Sequence, residues 1–105
     1  MPQFSVYRNR NATTKVRFPL LIDLQSDLLE PLATRVVAPL APAASARSRK
    51  METLTPILTV EGKDYLMLTP QLAGVAVREL GPSVADASDQ RAVILAALDF
   101  LISGI

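Results

Sequence analysis

The side chains able to do chemistry in this 105-residue chain are carboxylates, cations and hydroxyls, because it contains neither histidine nor cysteine. Ser-His-Asp and Cys-His nucleophilic catalysis are thereby excluded, as are disulfides and thiolate metal sites. A zinc site would need carboxylates alone, which is unusual. No cofactor and no metal are expected. What remains is charge. Eleven basic side chains face ten acidic ones, a net charge of +1, so nothing overall favours nucleic acid or an anionic membrane. The distribution is uneven. Arg8, Arg10, Lys15 and Arg17 precede the first acid, Asp23, and Arg47, Arg49 and Lys50 form a second cluster. Solvated loop charge explains such clusters in most chains. The sharper reading is a pair of docking patches for an acidic partner.

The elements that must position these residues can be read from periodicity. Phe4 to Tyr7 alternates apolar and polar, the period of a half-buried strand. Asn9 to Thr14 reads as a loop. Val16 to Leu24 predicts a second strand, at an edge or with a bulge near Pro19, which lacks a ladder donor. Asp23 to Asp27 predicts a turn set by Asx and Ser side chains. Arg35 to Leu40 is a third strand, whose regular pairing Pro39 should end. Ala41 to Lys50 reads as a loop. Thr55 to Val60, Glu61-Gly62-Lys63 and Asp64 to Thr69 predict a hairpin. Thr69 to Ala73 suits a short helical turn. Val75 to Leu80 predicts a strand closed by Gly81-Pro82.

From Asp86 onward the residues are good helix formers without internal Gly or Pro. Asp86 and Ser88 are N-cap candidates, and Asp89 suits the first turn. Ile94, Ala97, Leu98 and Leu101 form one apolar stripe that Val93, Ala96 and Phe100 widen. Ala92, Leu95, Asp99, Ile102 and Ser103 fall on the other side, where Leu95 and Ile102 do not suit a solvated face. With Leu28-Leu29, they are either scattered exposed residues or a partner-binding surface. Several strands followed by one helix give an α+β class, the helix lying on an antiparallel sheet. A single domain over residues 1–105 is expected at this length, with an aliphatic core, since half the residues are hydrophobic and 5% aromatic. The first residues lack a basic-then-apolar signal pattern. The most apolar run, Ala92 to Ile105, is interrupted by Asp99 and shorter than the ~20 residues of a spanning helix. A soluble, cytoplasmic protein without membrane contact is the expectation.

Four segments together resemble the CcdB family of toxin–antitoxin toxins: Gln3-Phe4-Ser5-Val6-Tyr7, the run Ile22-Asp23-Leu24-Gln25-Ser26-Asp27-Leu28-Leu29, Arg35-Val36-Val37-Ala38-Pro39-Leu40, and the terminal Phe100-Leu101-Ile102-Ser103-Gly104-Ile105. The resemblance spans essentially the whole chain. It implies a homodimeric α+β protein with an SH3-like barrel core and a C-terminal helix. It implies a protein that is not an enzyme but binds the A subunit of DNA gyrase and traps it on cleaved DNA. A CcdA-like antitoxin would neutralise it, and the toxin–antitoxin complex would repress its own operon, so operator DNA would be met only through that complex. Carried over position by position, the gyrase-contacting residues are Leu28, Leu29, Asp99, Ile102, Ser103, Gly104 and Ile105. The best-known member has Asn where this chain has Asp99, and Phe-Trp where it has Ile102-Ser103. Arg8, Arg10, Lys15, Arg17, Arg47, Arg49 and Lys50 are the expected antitoxin-binding set. Two other readings remain open. One is a MazF-type endoribonuclease on the same fold, for which Arg17 or Arg35 would have to serve in acid–base work. The other is a non-toxic relative acting only as a binding or repressor module.

Overall fold

A computed structural model describes residues 2–29, 31–46 and 53–104, the last two of the middle segment by backbone only. Arg47, Arg49, Lys50 and Ile105 lie outside the described residues. Among the described residues seven strands form one antiparallel sheet: β1 (Ser5–Asn9), β2 (Leu20–Asp23), β3 (Thr34–Pro42), β4 (Ile57–Val60), β5 (Lys63–Met67), β6 (Ala73–Ala76) and β7 (Leu80–Asp86). Their order is β4-β5-β3-β2-β1-β7, with β6 also paired to β3. The sheet curls into a half-barrel, and the helix α2 (Arg91–Ser103) follows it, an α+β arrangement. A single helical turn, α1 (Ala43–Ala46), follows β3.

The longest strand, β3, organises the sheet. Val37 pairs with both Asp23 of β2 and Ala73 of β6, and Leu40 with both Leu20 of β2 and Met67 of β5. A residue has two strand neighbours at most, so β5 and β6 share the edge opposite β2. Pro39 lies where that edge passes from β6 to β5. The strand therefore continues through Pro39 to Pro42, whereas the sequence places its end at Pro39. The missing donor falls at the changeover, where the Leu68 N–H still donates to the Pro39 carbonyl at 2.9 Å.

Strand alternation buries both faces at the centre. Val6, Leu20, Ile22, Ala38 and Leu40 pack with Ile94 and Ala97 of α2, while Tyr7, Leu21, Val37 and Leu80 form a second cluster. The β4–β5 hairpin closes on Val60↔Lys63, and both intervening residues have positive φ, 52° at Glu61 and 78° at Gly62. That is the requirement of a tight type I′ turn. The outer edge of β4 is met by Gln90, whose amide accepts from the Thr59 N–H and donates to the Thr59 carbonyl, both at 2.9 Å. A side-chain amide thus stands in for a neighbouring strand.

Other expected boundaries move as well. The strand predicted from Val16 begins only at Leu20, and Val16 is 83% exposed. The Asn11 carboxamide oxygen accepts the Thr13 and Thr14 N–H groups, and Lys15 and Phe18 donate four residues back to Asn11 and Thr14. These local bonds hold residues 11–18 in turns that compete with a ladder. The Val75 to Leu80 strand is divided. β6 ends at Ala76, a 3-10 turn spans Val77–Glu79, and β7 starts at Leu80 and runs through Gly81-Pro82. Pro82 is tolerated because β7 is an edge strand. Gly81 is required there by crowding, since a Cβ on it would stand 2.9 Å from the Arg8 carbonyl oxygen.

A 3-10 turn, Ser88–Gln90, precedes the helix, so α2 begins later, at Arg91, with Gln90 rather than Asp86 or Ser88 at its N-cap position, while the Asp86 carboxylate accepts the Ser88 N–H at 2.8 Å. The helix also sits rotated from the predicted face. Leu95 packs on the core, while Val93 is 46% exposed and Ala96 faces solvent. Ile94 and Ala97 are fully buried, with Leu98 packed beside them. Leu95 therefore drops out of any surface patch, and Ile102, 81% exposed, stays in one.

Candidate functional site

The run from Asp23 to Leu29 builds a side-chain scaffold under an exposed apolar pair. Asp23 ends β2 and is buried. One of its carboxylate oxygens accepts from Arg35 Nε at 2.8 Å and Nη2 at 2.7 Å. The other accepts the Gln25 N–H at 2.9 Å, closing an Asx turn. Both members of the ion pair are fully shielded from water. Gln25, also buried, then spans the gap: its Oε1 accepts the Val36 N–H at 3.1 Å and its Nε2 donates to the Leu29 carbonyl at 3.1 Å. Ser26 Oγ accepts the Leu28 N–H at 3.2 Å. Asp27 Oδ1 accepts the Gln3 N–H at 2.6 Å. The outcome is a 3-10 turn, Asp27–Leu29, that presents Leu28 at 90% exposure and Leu29 at 48%. Apolar side chains held this far into solvent by a buried polar network mark a surface suited to a partner.

The second apolar site is the end of α2. Ile102 projects into solvent, and Asp99, Ser103 and Gly104 are exposed around it. Ser103 Oγ donates to the Asp99 carbonyl at 2.7 Å. Gly104 ends the helix in the left-handed region, φ 74°, its N–H donating to the Phe100 carbonyl at 2.9 Å. Within one chain this site and the Leu28–Leu29 turn stand at different ends of the helix. The turn connects through Gln3, which donates to the Leu24 carbonyl and receives a 3.4 Å bond from Arg91, the first residue of α2. Ile102 lies eleven residues further on, about 16 Å along the axis.

The first basic cluster gathers on β1 and the loop after it. Arg8, Arg10, Lys15 and Arg17 are all exposed, and Arg17 lies over the Phe18 ring at 5.2 Å. Asn9 shapes the loop, its Nδ2 donating to the Thr14 hydroxyl and the Phe18 carbonyl, its Oδ1 accepting from the Asn11 N–H. Between this loop and β6 lies a groove of about 210 Å³ with Leu21, Val37 and Pro39 among its lining residues.

Arg35 is withdrawn from surface chemistry by its burial against Asp23, which removes one of the two cations offered for ribonuclease work. Among the described residues no group of three or more Asp or Glu side chains could hold a metal, and no helix is long and apolar enough to cross a membrane. The Asp23–Arg35 pair and the bridging role of Gln25 were missed by sequence reasoning. A signal existed: Asp23 interrupts the aliphatic run Ile22-Asp23-Leu24 and Arg35 leads into the aliphatic Val36-Val37, where an unpaired charge would be costly.

A family model described as CcdB protein matches residues 3–104, nearly the full length, and the chain belongs to the CcdB family. That family comprises toxins of toxin–antitoxin pairs that act on DNA gyrase.

Proposed function

We propose that this CcdB-family chain is the toxin of a type II toxin–antitoxin pair, binding the A subunit of DNA gyrase and trapping the cleaved-DNA complex so that replication stops. It acts in the cytoplasm as one toxin domain over residues 1–105, and as a binding protein, not an enzyme. The observation that carries the reading is the exposure of Leu28, 90%, and Ile102, 81%, the most exposed apolar side chains among the described positions aligned with the family's gyrase contacts. Burying such side chains contributes roughly 25 cal/mol per Å² removed from water. Asp99, Ser103 and Gly104 surround Ile102 and shape the same contact, together with the terminal Ile105.

The chain pairs as a two-fold homodimer. Isologous pairing gives each Leu28–Leu29 turn two helix ends to act with, and so offers a route to joining sites that one chain holds apart. Light scattering at micromolar concentration should give twice the 11.3 kDa chain mass. A CcdA-like antitoxin, acidic and disordered when free, docks on Arg8, Arg10, Lys15 and Arg17 and on the second basic cluster, Arg47, Arg49 and Lys50. The complex of toxin and antitoxin binds operator DNA and represses the operon.

The deciding experiment is a supercoiling and DNA-cleavage assay with purified gyrase. The reading expects inhibited supercoiling and accumulation of cleaved DNA. Unaltered gyrase with intact binding to its antitoxin would leave a binding or repressor module instead.

A further inference from the structure

We infer that Gln25 is a positioning residue for target binding: its side-chain amide, anchored beside the Asp23–Arg35 ion pair, holds the Leu28–Leu29 turn in the shape that meets gyrase. The inference rests on the reading of Leu28 and Leu29 as gyrase contacts.

A 3-10 turn of three residues has little of its own to define it. Its described backbone bonds are few, the Leu29 N–H to the Ser26 carbonyl at 3.0 Å and the Leu32 N–H to the Leu29 carbonyl at 3.1 Å. None of its three residues is buried, so packing cannot fix it either. The Ser26 and Asp27 side-chain bonds are exposed, where water competes for both partners. Gln25 differs. It is 7% exposed, its own N–H is fixed by the buried Asp23 carboxylate, and its amide joins the Leu29 carbonyl to the Val36 N–H of β3. Position is therefore handed outward from Arg35 to Asp23, to Gln25, to Leu29. A buried, doubly bonded amide of this kind has one geometry, and the turn it holds pays less ordering entropy on binding. Gln25 itself need not touch the target.

Two variants separate this role from general stability. Gln25→Met keeps the side chain's length and removes both bonds. Gln25→Glu keeps the acceptor for Val36 but replaces the donor to Leu29 with a carboxylate oxygen and adds a charge to the buried site. Each is read in the full chain by amide hydrogen exchange and by binding to purified gyrase A subunit. The expected result is faster exchange at Leu29 and Leu32, unchanged exchange at Val6 and Ile22 in the core, and binding weaker by on the order of five- to tenfold, the loss of one hydrogen bond. Wild-type exchange at Leu29 and Leu32, or wild-type affinity in both variants, overturns the inference while the gyrase reading stands. Loss of the fold in both variants also overturns it, by making Gln25 a residue of global stability. If the unaltered chain does not bind gyrase A, the functional reading falls and this inference falls with it.

Discussion

The Arg35 guanidinium stands 2.7 Å from the Asp23 carboxylate, and neither side chain reaches solvent. Asp23 pairs across β2–β3 with Val37, so Arg35 is its diagonal neighbour on the same face of the sheet. Removing two charges from water is costly, and the pair offsets that cost only because the contact is close and the second carboxylate oxygen is also bonded. The fold thereby places a charged core beneath the surface turn.

Asp23→Leu should destabilise the chain by about 3–5 kcal/mol, because it leaves the Arg35 charge buried without its counter-ion. The double variant Asp23→Leu, Arg35→Met should cost clearly less than the two single changes together. Urea denaturation of the four proteins checks this. Strict additivity would show that the two groups do not interact.

Gly81→Ala should cost about 1–3 kcal/mol, because its Cβ would press to 2.9 Å on the Arg8 carbonyl oxygen, a backbone atom that cannot swing aside. Gly74→Ala meets nothing within 4 Å and serves as the control with near-unchanged stability. Thermal melts of both variants decide it.

Ile102→Asp should abolish growth inhibition with wild-type circular dichroism, since Ile102 is 81% exposed and supports no core contact. Ile94→Asp should unfold the chain instead, because Ile94 is fully buried against the sheet. A folded and fully toxic Ile102→Asp protein would remove the helix end from the effector surface.

Reversing Arg8 and Arg10 to Glu should slow antitoxin association and flatten its salt dependence, while gyrase binding stays as it is. Both cations are exposed, so the change acts on encounter more than on the fold. Stopped-flow rates across salt concentrations test it, and an unchanged rate would move the antitoxin elsewhere.

The acid limb of stability should include Asp86. The Ser88 N–H and hydroxyl hold its carboxyl below the ordinary value of 3.8. A depressed folded pKa contributes stability that is present above the unfolded value and lost as the pH falls through the folded one. Asp86→Asn should therefore trail the wild type at neutral pH and converge with it as the pH falls through the depressed folded value. Denaturation midpoints measured from pH 7 to pH 2 check the convergence.

The α+β class, the Glu61–Gly62 hairpin, the turn after Asp23 and the C-terminal helix were legible along the chain, because each follows from short-range rules. Side-chain periodicity, left-handed turn residues and the absence of helix breakers act within a few positions of one another. The exposed Leu28, Leu29 and Ile102 were likewise legible as apolar residues left without a core face. Features that depend on distant partners emerged with the assembled sheet. Pro39 continues its strand because one edge of β3 changes from β6 to β5 at that point, a fact no local pattern contains. Leu95 turns inward and Val93 outward because the sheet sets the rotation of α2, whereas a helical wheel fixes only their relative angle. Asp23 and Arg35, twelve residues apart, look like two separate surface charges until β2 and β3 pair and close water out around both. Burial is a property of the assembled sheet, and so is the scaffold that carries the Leu28–Leu29 turn.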